Sequence, residues 1–160
     1  MKRNGHSLVR TMLGCSVFAL ALPSHSLQAA DDRLAVEQTA KDYIEGWYTG
    51  DSARMARALH PDLVKRRIET LPDGRQVVEN VNREDMVQMT SHGGGSKTPP
   101  ERQNISIEVL DITGDIAAVK TVSSQYVDIL SLAKVKGKWV IVNVLWCFAP
   151  PSGSAATAKR

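Results

Sequence analysis

Three long extended runs close the sequence, 105–112, 116–135 and 139–148, and only Gly114-Asp115 and Lys136-Gly137 separate them. Apolar residues alternate through the first run, as a strand with one buried face requires. Connections this short make the strands antiparallel neighbours, because a parallel return needs a crossover of about a dozen residues or more. The preceding half is helical in pattern. Val36, Ala40, Tyr43, Ile44 and Trp47 recur at spacings of three and four behind the capping residues Asp31 and Asp32. Gly50 ends that helix; Asp51 caps a shorter one carrying Met55 and Leu59, which stops near His60-Pro61. Residues 63–71 and 76–81 flank Pro72-Asp73-Gly74, whose chemistry suits a turn, and so predict a β-hairpin. Asn82-Arg83-Glu84-Asp85 opens a third helix with Met86, Val87 and Met89, closed by Gly93-Gly94-Gly95, and residues 96–103 read as a surface loop. Helices followed by an antiparallel sheet predict an α+β layer with the helices on one face.

The first thirty residues belong to a different pattern. Lys2, Arg3 and Arg10 form a basic head, residues 12–22 are mostly apolar, Pro23 breaks the run, and Leu27-Gln28-Ala29 offers a small-residue cleavage site. That order is the order of a secretory signal, and the apolar run is too short for a spanning helix of about 20 residues. Cys15 sits inside the run, which argues against a lipid-attachment site and for soluble export. The expected organisation is a signal peptide over 1–30, one domain over 31–148 and a frayed tail over 149–160 that is rich in Pro, Ser and Ala. Cleavage removes three of the 20 Lys and Arg residues and none of the 17 Asp and Glu residues, so the net charge of +3 disappears with the signal. A near-neutral mature chain disfavours nucleic acid and anionic membranes as partners. Only Cys147 then remains, so no internal disulfide is available and the core must supply the stability.

Asp42-Tyr43-Ile44-Glu45-Gly46-Trp47-Tyr48-Thr49-Gly50-Asp51, with Met55 and Ala58-Leu59-His60-Pro61-Asp62-Leu63, resembles the opening of the nuclear transport factor 2-like superfamily, in its putative lumazine-binding branch. Tyr126-Val127-Asp128 and Gly137-Lys138-Trp139-Val140-Ile141-Val142 are similar to that branch's closing strands. The resemblance spans residues 31–148. It implies a cone-shaped, curved antiparallel sheet with the N-terminal helices on its concave face, the nuclear transport factor 2-like or cystatin-like roll, enclosing a pocket. It implies no particular chemistry, since one fold carries many functions.

Ketosteroid isomerases of the same superfamily indicate which residues to examine. The resemblance implies that Tyr43, set before Gly50-Asp51, points into the pocket, and that Asp128 is its counterpart on a long strand. Two such groups could donate to one ligand oxygen; the alternative is a core tyrosine bonded to a backbone carbonyl and a strand carboxylate paired with a nearby Arg. The isomerase's carboxylate base has no match here, because its place in Lys65-Arg66-Arg67 falls on Arg67, which cannot serve as a general base. An inward Arg67 could instead bind a ligand carboxylate or phosphate. His60 is either a helix-terminal group or an acid or base at the pocket mouth. Trp47, Met55, Met86 and Trp146 could be a flat apolar lining or ordinary core.

No ligand-spaced set of His and Cys suggests a metal, and Gly93-Gly94-Gly95-Ser96-Lys97-Thr98 lacks the Gly-Lys-Ser/Thr ending of a phosphate loop. The sequence therefore predicts a periplasmic or secreted protein, without cofactor, that holds a small apolar or aromatic molecule. The alternatives are an isomerase or dehydratase using the same pocket, and a protein-interaction module. Apolar residues on both alternating faces, with Val140, Val142, Val144 and Trp146 on one and Trp139, Ile141 and Leu145 on the other, also predict a homodimer through the outer sheet face.

Overall fold

The computed structural model describes residues 24–150. The expected signal segment as far as residue 23, with Cys15, and the tail beyond residue 150 lie outside the described residues. A long helix, α1 (Ser24–Thr49), leads into α2 (Ser52–Ala58), and the hairpin β1 (Leu59–Thr70) and β2 (Gln76–Asn82) follows. Then come α3 (Arg83–Ser91), a single turn α4 (Pro100–Gln103), and the strands β3 (Ser106–Thr113), β4 (Ile116–Val122), β5 (Tyr126–Val135) and β6 (Lys138–Phe148). All six strands share one curved sheet in the order β2-β1-β6-β5-β4-β3.

Val36, Ala40, Tyr43 and Ile44 of α1 are buried against the sheet's inner face, which contributes Val119, Leu130, Leu132, Ile141 and Val144. Two polar contacts fix the height of α1 over the sheet. Thr39 donates to the Trp139 carbonyl at 3.1 Å, and Asp32 accepts from Lys134 Nζ at 2.6 Å and Trp139 Nε1 at 3.0 Å. Asp32 is thus a tether and not the helix cap that its position suggests. The helix instead starts at Ser24, and the helix-favouring Leu27, Gln28, Ala29 and Ala30 carry it through the expected cleavage segment. Asp51 caps α2 by accepting from the Arg54 amide at 2.9 Å, and Asn82 caps α3 by accepting from the Asp85 amide at 2.9 Å, both at the positions their sequence predicts. Arg54 then clamps α2 to α1 through Asp42 at 2.8 Å and Glu45 at 2.5 Å.

Four features of the sheet depart from the sequence reading. First, residues 116–135 are two strands and not one. Ser123-Ser124-Gln125 turns the chain, with the Ser123 amide donating to the Tyr126 carbonyl at 2.8 Å and Ser123 Oγ accepting from the Tyr126 amide at 3.1 Å. A serine hydroxyl does here what glycine or proline usually signals. Second, β1 pairs with β6 in parallel, because the helices and remaining strands between them form a long crossover. Third, β1 begins at Leu59 and so includes His60 and Pro61; its pairing slips over 60–63, where the strand bulges. Fourth, Ser131 pairs with Asn143 while the next residue, Leu132, pairs with Ile141, so Val142 is an inserted residue. That bulge switches the parity of β6, turning Trp139, Ile141, Val144 and Trp146 inward together and leaving Leu145 exposed on the outer face. The single alternation predicted for residues 139–146 therefore fails at Val142. Ile68, Val78 and Ile129 lie exposed beside Leu145, so the outer face is partly apolar.

Candidate functional site

Between α1, α3 and the inner face of β1, β2, β5 and β6 lies a cavity of about 190 Å³. Its lining is aromatic and apolar with an ionic floor: Tyr43, Ile44, Trp47, Val81, Met86, Met89, Tyr126 and Trp146 surround Lys65, Arg67, Glu79 and Asp128. Each ionic group arrives by strand parity. Leu63, Lys65 and Arg67 are alternate residues of β1, so the face that buries Leu63 also turns both cations inward. Asp128 shares its face of β5 with the buried Leu130 and Leu132.

Asp128 and Lys65 form the most deeply buried ion pair among the described residues, at 2.5 Å. Tyr43 joins both, its hydroxyl donating to Asp128 Oδ1 at 3.0 Å and accepting from Lys65 Nζ at 2.8 Å. Thr121 Oγ1 lies 3.5 Å from the other carboxylate oxygen. The ammonium stands 4.6 Å from the centroid of the Trp146 ring, within cation–π range. Burial pushes the Lys65 pKa down, and the Asp128 charge opposes that shift only in part. Burial, and then the Asp128 charge, raises the Tyr43 pKa well above the ordinary phenol value. Tyr43 is accordingly a neutral hydroxyl at any physiological pH and has a proton to donate.

Arg67 occupies the upper wall. It pairs closely with Glu79 of β2, and Glu69 lies 3.3 Å away, while its guanidinium carbon is 5.3 Å from the Trp146 ring and 5.5 Å from Phe148. Trp47, Tyr126, Trp146 and Phe148 form a chain of edge-on ring contacts at centroid distances of 6.2, 5.5 and 5.3 Å, and Tyr126 also meets Phe148 in a tilted contact at 6.0 Å. The indole N–H of Trp146 is buried and has no hydrogen-bond partner among the described residues.

Six of the eight residues singled out from sequence line this cavity: Tyr43, Trp47, Arg67, Met86, Asp128 and Trp146. Two do not. Met55 is fully buried core on α2. His60 lies on β1 outside the lining, its Nδ1 accepting from the Asp62 amide at 3.1 Å. Sequence reasoning passed over Lys65, which reads as one member of a solvated basic run; the alternation Leu63, Lys65, Arg67 was the signal for its inward face. Ile44, Glu79, Val81, Met89 and Tyr126 were also missed as lining. No group of three or more His, Cys, Asp or Glu residues among those described is placed to hold a metal ion.

The family model described as Putative lumazine-binding matches residues 31–147. Among solved structures, an NTF2-like protein of unknown function from Shewanella baltica OS155 has a TM-score of 0.58 at 18% identity, covering 76% of this chain and 96% of that one. A second, from Methylobacillus flagellatus KT, has a TM-score of 0.57 at 20% identity, covering 75% of this chain and 94% of that one. An NTF2-like protein with a cystatin-like fold from Novosphingobium aromaticivorans has a TM-score of 0.56 at 13% identity, covering 88% of this chain and 96% of its own. No curated protein matches the chain in sequence. At these identities the structural likeness concerns the fold, which is the NTF2-like, cystatin-like roll.

Proposed function

This chain belongs to the Putative lumazine-binding family of NTF2-like proteins, and we propose that it is a binding protein whose cavity holds a small, flat, neutral molecule with an oxygen acceptor. The observation that carries this reading is the buried Tyr43–Lys65–Asp128 cluster at the base of an aromatic cavity. Ionic groups are costly to bury, and here each sits where a ligand would meet it. Size agrees, since a dry cavity of about 150 Å³ accepts benzene and this one measures about 190 Å³. One ring with substituents, or a small fused pair, fits that space.

Charge supports a neutral ligand. Lys65 and Arg67 line the cavity beside Asp128 and Glu79, and each cation already has its carboxylate. A charged ligand would have to break one of those pairs and strand a buried ion. A neutral oxygen can instead share the donors of Lys65 and Tyr43, and the Trp146 N–H, which has no partner among the described residues, offers a third. Lumazine, the bicyclic pteridinedione of the family's description, falls in this class. Export of the mature domain, and pairing of two copies through the outer sheet face, belong to the same proposal; exposed Ile68, Val78, Ile129 and Leu145 support the pairing.

Two of the chain's three tryptophans line the cavity, so binding is readable by fluorescence. Titrations with lumazine, 2-naphthalenemethanol and 2-naphthoate separate the ligand classes. The neutral molecules should quench at least about tenfold more tightly than the carboxylate, and Tyr43→Phe should cost about 1 kcal/mol of that affinity. Tighter binding of the carboxylate, with Tyr43→Phe silent, would refute a neutral ligand held by the floor.

A further inference from the structure

Lys65 is the one lysine among the described residues that is buried, and its amine faces the cavity and not solvent. Surface lysines are solvated ammonium ions, unreactive towards carbonyls until they lose a proton. The surroundings of Lys65 differ in three ways. Its Nζ lies among Tyr43, Trp146 and Asp128, with little water to stabilise charge. A carboxylate oxygen at 2.5 Å can accept its proton without solvent. A neutral hydroxyl at 2.8 Å can donate to an oxygen placed beside it. These are the parts that amine addition to a carbonyl requires: a free lone pair, a proton acceptor and a proton donor.

We infer that Lys65 forms a reversible Schiff base with aldehydes or ketones that enter the cavity, assisted by Tyr43 and Asp128; this rests on the same cavity being a ligand site. The step begins when the Lys65 ammonium passes one proton to Asp128. The Nζ lone pair attacks the carbonyl carbon, a C–N bond forms, and the C=O π pair moves to oxygen, where the Tyr43 hydroxyl stabilises it. The proton held on Asp128 returns to that oxygen, and a second proton leaves nitrogen for the same oxygen through the cluster. Water departs as the nitrogen pair forms C=N. The sum is an ammonium and a carbonyl compound giving a protonated imine and one water, with no oxidant or reductant consumed. Asp128 ends as the carboxylate counter-ion of the iminium. The burial that lowers the Lys65 pKa favours the free amine in the first step.

The aromatic walls select the carbonyl compound. A flat aromatic or conjugated aldehyde can lie against Trp146 and Tyr126 with its carbonyl at the floor, whereas an anionic keto acid would meet the paired charges described above.

The test uses the protein with 2-naphthaldehyde and sodium cyanoborohydride at neutral pH, which reduces any imine to a stable amine. Peptide mapping by mass spectrometry then locates the adduct, and 2-naphthalenemethanol, which cannot form an imine, reports cavity binding by tryptophan fluorescence. The expected result is a predominant adduct on Lys65, at least about tenfold above any other lysine, because only there are the amine, acceptor and donor assembled. In Tyr43→Phe the Lys65 adduct should form roughly a hundredfold more slowly. Binding of the alcohol with label spread evenly over the surface lysines would overturn the Schiff base while leaving the binding reading intact. Binding of neither compound would overturn both.

Discussion

Asp128→Ala should destabilise the protein by about 3–5 kcal/mol, the usual cost of removing one partner from a buried ion pair. The size follows from what is left behind. Lys65 is 93% buried as a residue, its ammonium lies against the Tyr43 and Trp146 rings, and without Asp128 it would keep, among the described residues, only the Tyr43 oxygen as an acceptor. The chain must then either desolvate an unpaired charge or give up the proton, and either route costs folding energy. Urea denaturation of the wild type, Asp128→Ala, Lys65→Met and the double variant closes a cycle that isolates the pair. The double variant should recover a large part of the loss, since replacing both ions with apolar groups is often neutral. A loss below about 1 kcal/mol for Asp128→Ala, in the range of a solvent-exposed pair, would show that the cluster is not buried as described.

Gly94→Ala should cost about 2–4 kcal/mol, from backbone strain and overpacking acting together. Gly94 has φ of +48°, and an added Cβ would lie 2.6 Å from the Trp47 carbonyl oxygen and 3.1 Å from its ring. Neither can retreat easily. The Gly95 amide donates to the same Trp47 carbonyl at 3.0 Å, and the Trp47 ring lies between the glycine loop and the cavity that it lines. Gly74 makes the control, for it too has positive φ, of +83°, but a Cβ there meets nothing within 4 Å. Gly74→Ala should therefore lose only about 1 kcal/mol, the conformational part alone. Equal losses at the two positions, measured by thermal or urea unfolding, would mean that the loop does not pack on Trp47. The three glycines thus do more than end α3; they let the loop approach the cavity's aromatic wall.

How much of this was legible in the sequence differs by feature. The helix faces were readable because burial on α1 follows the 3.6-residue period through Val36, Ala40, Tyr43 and Ile44. The caps at Asp51 and Asn82 and the turn at Pro72-Asp73-Gly74 were readable because their chemistry is local. Tyr43 and Asp128 came together as the family resemblance implies, 85 residues apart in sequence and 3.0 Å apart in space, but Asp128 accepts from Tyr43 and Lys65 where the resemblance implies a second donor. What stayed hidden was set by pairing between distant strands. No residue type marks Val142 as the inserted residue; the bulge exists because Ile141 and Asn143 answer to consecutive residues of β5. That one insertion decides whether Trp146 faces the cavity or solvent. The Ser123-Ser124-Gln125 turn carried no Gly or Pro, and so two strands read as one. Lys65 was hidden by its neighbours, because a run of three basic residues reads as a solvated edge until the strand's two faces are told apart.

The most direct measurement of whether the cavity is a ligand site is native mass spectrometry of the protein isolated from its own cells, set against its denatured mass. A single neutral molecule should appear as extra mass per subunit in the native spectrum and be lost on denaturation, and the same spectrum reads the number of subunits. Its retention should fall in Tyr43→Phe, where one donor of the floor is missing. A native mass equal to the polypeptide alone, with no uptake when lumazine or 2-naphthalenemethanol is added, would contradict a ligand held above Tyr43, Lys65 and Asp128.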